Sequence, residues 1–406
     1  MSRLTSEQLQ AVMDQYGVNR IWSWSKVDKF IISPFEYYLK YIAQKKEDRT
    51  DCAYAPLGGI CHSIIEDFYN EKINYEDMID RFNTGWMTSI QFAKLQFDRN
   101  DSSKNDSIGS KYHDDLMHFF KNHKKIPYRI ALEKFITAKI GNHLFQGYID
   151  AIYVDHNGVY HIIDWKTSTK YSGKTAEEKC GQLLIYAIAL NQSGIPWEKI
   201  KICWNFLKYV SIEYQQKNGT VKTREVERCK IGEALQSNVK TWLNALGYKD
   251  QVDYYLKALL DANDISVLPE DVQEKYTILD CYVYVPITQK LVDNLMATII
   301  TTIEDIRLRE EDYKNTGSYM AFWDSDESVQ SQSYYFATLC GYSPSLHLPY
   351  QAYLERLEAE KNGDIFSGVG SNTEDNDEDY VVTKVSTGST STKESIDFSW
   401  LNALMN

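Results

Sequence analysis

The sequence predicts a mixed α/β fold in which helices flank a small central sheet. Stretches rich in apolar and β-branched residues, separated by turns such as Asp155-His156-Asn157-Gly158, are typical of short strands. Residues 175–190 carry apolar residues at helical spacing. The strands are predicted at residues 130–138, 144–154, 159–165 and 200–209. The order βββαβ indicates an α/β core, and Asn218-Gly219 predicts a hairpin that extends its sheet.

The N-terminal segment, residues 1–71, is predicted to be helical. Thr5 and Gln8 have the spacing of a capping box, and Gly17 follows the apolar-periodic stretch that they begin. A second helical stretch is interrupted at Ser33-Pro34, where proline suits the first position of a new helix. We therefore expect several helices in this segment.

Four further segments follow. Residues 72–129 have a polar, helical pattern with a loop predicted at 100–110, and we expect them to form a helical insertion. Residues 130–230 hold the α/β core with its hairpin, and residues 231–364 are predicted to be mainly helical. Residues 365–406 are acidic and rich in Ser, Thr and Gly, which predicts a disordered tail.

Length and composition indicate a globular protein with a large core. The 406 residues are 43% hydrophobic and 25% charged, which argues against global disorder. The seven cysteines are scattered and odd in number, as is typical of reduced intracellular thiols. The sequence shows no signal peptide and no uninterrupted apolar stretch of about 18 residues, so we expect a cytoplasmic protein that does not enter a membrane.

The net charge of −13 counts against nucleic acid as a ligand, because phosphate affinity comes mainly from Lys and Arg. The distribution of charge weakens this objection, since the segment after residue 365 is strongly acidic. Metal-binding carboxylates would account for a little more of the negative charge. The remainder is still acidic, so charge is a mild objection to a DNA-binding function.

Two aspartates and a lysine give the strongest chemical signal. Asp164 and Lys166 lie two residues apart on one predicted strand, so they project from the same face. Asp150 ends the preceding strand and can reach the same point in space. Clustered carboxylates suit Mg²⁺ or Mn²⁺, and a lysine beside them can stabilise the charge that develops when a phosphodiester is hydrolysed. The alternative is a surface salt bridge between Lys166 and these acids.

Five short motifs follow one another along the chain. They read S-P-x-x-Y, G-x-x-x-H, G-x-x-D, D-x-K-T and Q-x-x-x-Y, and they lie within residues 33–38, 58–62, 147–150, 164–167 and 182–186. In this order they resemble the motifs of the PD-(D/E)XK nucleases. Within that superfamily they are similar to the RecB-like exonuclease branch, which includes phage and CRISPR-adaptation enzymes.

The resemblance implies a restriction-endonuclease-like core, with a small mixed central sheet flanked by helices and with helical insertions. It also implies a DNA nuclease that depends on Mg²⁺ or Mn²⁺, namely an exonuclease in DNA recombination, repair or replication. By this resemblance Lys166 is the catalytic lysine and acts with Asp150 and Asp164. The implied metal ligands are His62, Asp150, Asp164 and the main-chain carbonyl of Trp165.

Three further residues take roles from the resemblance. Gln182 and Tyr186 are four residues apart and therefore on one helix face, where they are expected to contact DNA beside the site. The alternative for Tyr186 is a half-buried helix residue. Glu133 matches a family acid that precedes the first strand pair, and we expect it to support the site.

The chain departs from the iron–sulfur members of the branch. Those members have a cysteine where this chain has Ser33, and the downstream cysteines here lie far apart. We therefore expect no iron–sulfur cluster, because four thiolates must converge to hold one.

Two alternatives to an exonuclease stay open. They are a structure-specific endonuclease and a non-catalytic DNA-binding or scaffold protein that kept the nuclease fold. DNA, either single-stranded or at duplex ends, is the expected partner, and RNA is an alternative substrate. Apolar residues at the end of the tail suit the docking of a partner protein, and they are Phe398, Trp400, Leu401 and Leu404.

Overall fold

The structure is a computed structural model that describes residues 3–362 and 399–404. The chain divides into two compact units. Unit 1 consists of Met1–Arg49, Lys139–Phe145 and Thr298–Phe398, and unit 2 consists of Thr50–Ala138, Gln146–Ala297 and Ser399–Asn406. The five segments expected from the sequence stay a prediction. The predicted disordered tail lies outside the described residues, except for 399–404.

Helices outnumber strands in the part of the chain that the structure describes. The helices are α1 (Ser6–Tyr16), α2 (Trp24–Ile32), α3 (Pro34–Tyr37), α4 (Tyr54–Tyr69), α5 (Tyr75–Gly85), α6 (Ser102–Asn122), α7 (Lys174–Lys179), α8 (Gly181–Gln192), α9 (Ile231–Ala245), α10 (Val252–Ala262), α11 (Glu270–Gln273), α12 (Gln289–Thr316), α13 (Asp326–Ser331), α14 (Leu348–Lys361) and α15 (Ser399–Asn402). The strands are β1 (Ile21–Trp22), β2 (Ile130–Ile140), β3 (His143–Val154), β4 (Tyr160–Lys166), β5 (Ile200–Gln215), β6 (Val221–Glu227) and β7 (Tyr276–Val285). Within residues 3–362 and 399–404, none of these helices combines the length and the apolar character needed to cross a membrane.

A mixed sheet forms the centre of unit 2. β3 runs antiparallel to β4, with Ala151 opposite Ile163, and β4 runs parallel to β5. β2 pairs with β3, and both β6 and β7 run antiparallel to β5. Gln215 pairs with Val221 across the Asn218-Gly219 turn, so the predicted hairpin is confirmed. The predicted fold class, a mixed central sheet flanked by helices, is confirmed as well.

Helices cover β4 along most of its length. Leu57 of α4 and Phe119 of α6 join Ile163 and Trp165 of β4 in one buried cluster. α8 packs on β4 and β5, and almost all of its side chains are buried, as expected of a helix that is apolar on all sides. Burial ends at Lys166, the last residue of β4. The C-terminal end of β4 is therefore where polar groups can open to solvent.

Two sequence predictions about helices need correction. The predicted loop at 100–110 is wrong, because α6 begins at Ser102 with Asp101 as its N-cap, which accepts a hydrogen bond from the Lys104 N–H. The polar residues of its first turns face solvent, and its buried side is set further along by Tyr112 and Leu116. The predicted helix at 175–190 is divided into α7 and α8, which are separated at Cys180.

The N-terminal helix of unit 1 begins as the sequence predicts. The Thr5 hydroxyl accepts a hydrogen bond from the Gln8 N–H at 3.3 Å, and the Gln8 side chain accepts one from the Thr5 N–H at 2.9 Å. Gly17 ends the helix with a φ of 64°, in the left-handed region that glycine adopts without strain. The predicted capping box is therefore confirmed.

An aromatic cluster joins α3 to the C-terminal segments of unit 1. The centroid of the His347 ring lies 4.9 Å from the centroid of the Phe35 ring and 4.9 Å from that of the Phe336 ring. The Ser33 hydroxyl accepts a hydrogen bond from the Glu36 N–H at 3.2 Å. Cys340 is buried in the same cluster. Aromatic packing and helix capping thus hold these segments together.

The last described residues belong to unit 2. Leu401 and Leu404 are buried, and the Ala403 carbonyl accepts a hydrogen bond from Arg129 at 3.1 Å. The Lys134 ammonium lies 5.8 Å from the Trp400 ring centroid. These C-terminal residues therefore pack within unit 2, whereas Phe398 lies outside the described residues.

Candidate metal centre

Three side chains of unit 2 form a group that could hold a metal ion. They are His62 on α4, Glu133 on β2 and Asp150 on β3, and one ligand atom of each lies within 4.8 Å of the other two. Carboxylates are the preferred ligands of Mg²⁺, and an added imidazole suits Mn²⁺. All three side chains are partly exposed, so a substrate can reach them. The donor set therefore fits a divalent cation.

Glu133 joins this group from an irregular point in β2. Its φ of 48° lies in the left-handed region, which costs a residue with a side chain about 1 kcal/mol or more. The resemblance implies a supporting role for Glu133, whereas the structure places its carboxylate within 4.8 Å of ligand atoms of Asp150 and His62. The feature of the sequence that points to Glu133 is an acidic residue inside an otherwise mainly apolar strand.

The main chain of Trp165 orients His62. The Trp165 carbonyl lies 2.9 Å from His62 Nε2, and because a carbonyl can only accept, Nε2 carries the proton. Burial lowers the pKa of His62, which keeps the ring neutral near pH 7. Nδ1 then has a free lone pair, and it lies 3.6 Å from Asp150 Oδ2. This is the tautomer in which Nδ1 can bind a metal.

Asp150 lies close to the other charged groups of the site. Its Oδ2 atom accepts a hydrogen bond from the Trp165 N–H at 3.3 Å. Burial, and then the charge of Asp164, raise the pKa of Asp150, while Lys166 opposes the shift. Because adjacent carboxylates disfavour each other's ionised form, a cation placed between them would be stabilised. The electrostatics therefore agree with the donor set.

Lys166 and Asp164 form an ion pair in this region. Lys166 Nζ lies 2.7 Å from Asp164 Oδ2, and Asp164 is 2% exposed. Burial disfavours the ammonium, but the charges of Asp164 and then Asp150 outweigh this effect and raise the pKa of Lys166. A surface salt bridge does not describe this pair, because Asp164 is enclosed. Asp164 contacts Lys166 and is not part of the three-residue group.

Gln182 and Tyr186 lie on one face of α8, but Tyr186 is 3% exposed. Its hydroxyl donates to the Tyr148 carbonyl at 2.6 Å and accepts from Gln182 Nε2 at 2.6 Å. Burial, and then the charge of Asp150, raise the pKa of Tyr186, so the hydroxyl keeps its proton. The structure thus places Tyr186 against β3, with Gln182 bonded to its hydroxyl, and the predicted contact of both residues with DNA stays a prediction.

A buried polar network packs against the Trp165 ring through Tyr69. The Tyr69 ring stacks on the Trp165 ring at 6.2 Å, and the Tyr69 hydroxyl lies 3.0 Å from His123 Nε2. His123 Nδ1 lies 3.3 Å from Asp280 Oδ2, and Asp280 also pairs with Arg228 at 2.5 Å. The sequence alone does not reveal this network, because its members lie far apart in the chain, with Tyr69 and Asp280 separated by 211 positions.

The part of the chain that contains the metal-binding group is similar to a known protein family. A model of the PD-(D/E)XK nuclease superfamily matches residues 21–269, which is more than half of the chain. No curated protein matches the sequence. The matched span extends from β1 through α10 and includes the metal-binding group, the ion pair and α8.

Proposed function

The chain belongs to the PD-(D/E)XK nuclease superfamily, whose members are generally metal-dependent nucleases, and from this we propose that it hydrolyses phosphodiester bonds in DNA. The convergence of His62, Glu133 and Asp150 within 4.8 Å is the observation that supports this proposal. We expect Mg²⁺ or Mn²⁺ as the cofactor, because two carboxylates dominate the donor set.

The proposed roles follow from these contacts. His62 Nδ1 and the carboxylates of Glu133 and Asp150 would hold the cation. The resemblance also implies the Trp165 carbonyl and Asp164 as ligands, and each of them has another partner in the structure, His62 Nε2 for the carbonyl and Lys166 for Asp164. A divalent cation bound there would neutralise charge on a phosphodiester and lower the pKa of a water molecule. Lys166 stays protonated and can stabilise the negative charge that develops on the phosphate or orient the attacking water. Asp164 fixes the direction of that ammonium.

The finer assignments are proposals as well. We propose an exonuclease of the RecB-like branch, of the phage or CRISPR-adaptation type, that acts in the cytoplasm in DNA recombination, repair or replication. A structure-specific endonuclease would use the same groups, because substrate shape is set by the surroundings of the site. The C-terminal segment is the proposed docking segment for a protein partner, and Leu401 and Leu404, which are buried within unit 2, would have to be released for docking.

A cleavage assay tests the nuclease function. End-labelled single-stranded and double-stranded DNA is incubated with the full chain and Mg²⁺ or Mn²⁺, with EDTA as the metal-free reference. We expect cleavage with either metal and none with EDTA, because the carboxylates cannot act without a cation. The time course of 5′-labelled and 3′-labelled products then separates exonuclease from endonuclease cleavage.

Variants of the metal group make the assay specific. Asp150→Asn and Glu133→Gln keep the shape of each side chain but remove its charge, and each should reduce cleavage by about 100-fold or more. Asp253→Asn, at an exposed position on α10, is the matched control and should cleave like the wild type. Equal cleavage by all of these proteins would refute the nuclease proposal and favour a non-catalytic DNA-binding or scaffold protein.

A further inference from the structure

Tyr186 makes its closest contacts with the strand that carries Asp150. Its hydroxyl donates to the Tyr148 carbonyl at 2.6 Å, and a methyl group added at Gly147 would come within 2.6 Å of the Tyr186 ring. The ring therefore lies directly on the main chain at Gly147. Asp150 follows three residues later on the same strand.

The hydrogen bonds of Tyr186 within the protein occupy the proton of its hydroxyl and one lone pair of the oxygen. The proton goes to Tyr148, and a lone pair accepts from Gln182 Nε2 at 2.6 Å. Tyr186 is also 3% exposed, so a DNA strand could reach it only after these contacts are broken. Breaking buried hydrogen bonds costs about 1–3 kcal/mol for each group left unsatisfied.

The position of these contacts along β3 matters for the metal group. β3 pairs with β4 from Ala151 to Val154, on the C-terminal side of Asp150. On the N-terminal side of Asp150, the Tyr186 hydroxyl donates a hydrogen bond to the Tyr148 carbonyl. A one-residue or sub-ångström shift of the strand at this point would move the Asp150 carboxylate relative to His62 and Glu133.

We infer that Tyr186, with its hydroxyl oriented by Gln182, is a positioning residue that holds Asp150 in the metal-binding group rather than a DNA contact. This inference deepens the proposed function and rests on it for its meaning in catalysis. If so, the affinity of the site for a metal ion depends on the Tyr186 hydroxyl, whereas the affinity of the protein for DNA does not.

The first test measures metal binding without cleavage. Mn²⁺ is titrated calorimetrically into the full chain and into Tyr186→Phe, which keeps the ring on Gly147 and removes the hydroxyl. We expect the Mn²⁺ dissociation constant to rise by about 10-fold, as is usual when a group that orients a metal ligand is lost. The DNA dissociation constant, measured with EDTA present, should stay within twofold.

Tyr276→Phe is the matched control. Tyr276 is buried in the same unit and donates to Asn238 Oδ1 at 2.6 Å, so its substitution removes an equivalent hydrogen bond away from the metal group. Both variants should lose similar thermal stability, but the control should bind Mn²⁺ like the wild type. A weakened DNA affinity with unchanged Mn²⁺ binding in Tyr186→Phe would overturn the inference, as would no change in either.

A double substitution gives an independent test. Gly147→Ala forces a methyl group against the Tyr186 ring and should weaken Mn²⁺ binding, whereas in a Tyr186→Ala background the methyl group has room. The effect of Gly147→Ala on Mn²⁺ affinity should therefore be smaller in that background, and additive effects would contradict the inference. Because Mn²⁺ titration does not need cleavage, a chain that binds Mn²⁺ in this way but cuts no DNA would refute the nuclease function alone.

Discussion

Lys166 Nζ lies 2.7 Å from Asp164 Oδ2, two residues away on the same strand. The strand alternation places both side chains on one face, where they form an ion pair. The Asp164 carboxylate is buried, whereas the Lys166 side chain is 30% exposed. The pair fixes an ammonium group beside a cluster of carboxylates. The role of Lys166 can therefore be tested separately from the role of the three metal-binding side chains.

Removal of the Lys166 ammonium should reduce catalysis without loss of metal binding. Lys166→Met keeps most of the side-chain volume, and we expect the cleavage rate to fall by about 100-fold or more, because a group that stabilises developing charge is lost. Mn²⁺ affinity should stay the same or rise, since a positive charge next to Asp150 is removed. The measurements are single-turnover cleavage of labelled DNA and Mn²⁺ titration.

Lys174→Met serves as the control for this prediction. Lys174 lies eight residues further along the chain, and its side chain is 89% exposed. It should cleave DNA at the wild-type rate. Loss of Mn²⁺ binding in Lys166→Met, in parallel with loss of cleavage, would show that the lysine maintains the metal group instead of acting on the phosphate.

The left-handed backbone of Glu133 predicts an unusual stability effect. Glu133→Gly removes the carboxylate, so metal binding and cleavage should be lost. The same change relieves a backbone conformation that costs about 1 kcal/mol or more, which offsets the entropic cost of glycine in a strand. We expect a free energy of unfolding within about 1 kcal/mol of the wild type, measured by urea denaturation.

Glu133→Ala is the comparison for this effect, because it removes the same carboxylate but keeps a Cβ at the positive φ. Its free energy of unfolding should be lower than that of Glu133→Gly by about 1 kcal/mol, since alanine does not relieve the left-handed conformation. If Glu133→Ala proved as stable as Glu133→Gly or more so, the backbone of Glu133 would not be strained in the folded protein.

Asp115 should make stability depend on pH. Burial raises the pKa of Asp115 to about 6 from its ordinary value of 3.8, although its Oδ1 atom accepts from the Cys229 N–H at 2.7 Å. Because the pKa is higher in the folded state, the protonated Asp115 side chain stabilises the folded protein. This contribution is complete below pH 3.8 and is lost as the pH rises through 6. The maximum size of the effect is on the order of 3 kcal/mol.

Asp115→Asn removes this titration while keeping an oxygen for the Cys229 N–H. The melting temperature of the variant should therefore rise relative to the wild type between about pH 4 and pH 7, as followed by calorimetry. Asp106→Asn, at an exposed position of the same helix, should show no such trend. A constant difference between Asp115→Asn and the wild type across this pH range would contradict the prediction.

Two helical glycines should respond to alanine in opposite directions. A methyl group at Gly232 in α9 would lie 2.5 Å from the Leu259 carbonyl of α10, so Gly232→Ala should lower the free energy of unfolding by about 2 kcal/mol. At Gly59 in α4 there is nothing within 4 Å, and Gly59→Ala should raise it by up to about 1 kcal/mol. Chemical denaturation of both variants measures the two changes in the free energy of unfolding. Equal changes would show that α9 and α10 are not in close contact at Gly232.

Local chemistry explains which structural features the sequence could predict. The capping box at Thr5, the turn at Asn218-Gly219 and the spacing of Asp164 and Lys166 depend on residues that are close in the chain, and the structure contains all three. The predicted loop at 100–110 was wrong because local polarity does not reveal which side of a helix will be buried. That side is set by packing of Tyr112 and Leu116 within unit 2.

The sequence by itself determined the mixed α/β fold, the alternation that puts Asp164 and Lys166 on one face, and the motif order typical of the superfamily. Tertiary structure decided that Glu133 lies with His62 and Asp150, that the Trp165 carbonyl sets the tautomer of His62, and that α8 presses Tyr186 onto β3. The physical reason is the range of the interactions. Hydrogen-bond spacing and side-chain alternation act over a few residues, whereas burial and ligand distances arise only when segments far apart in the chain are packed together.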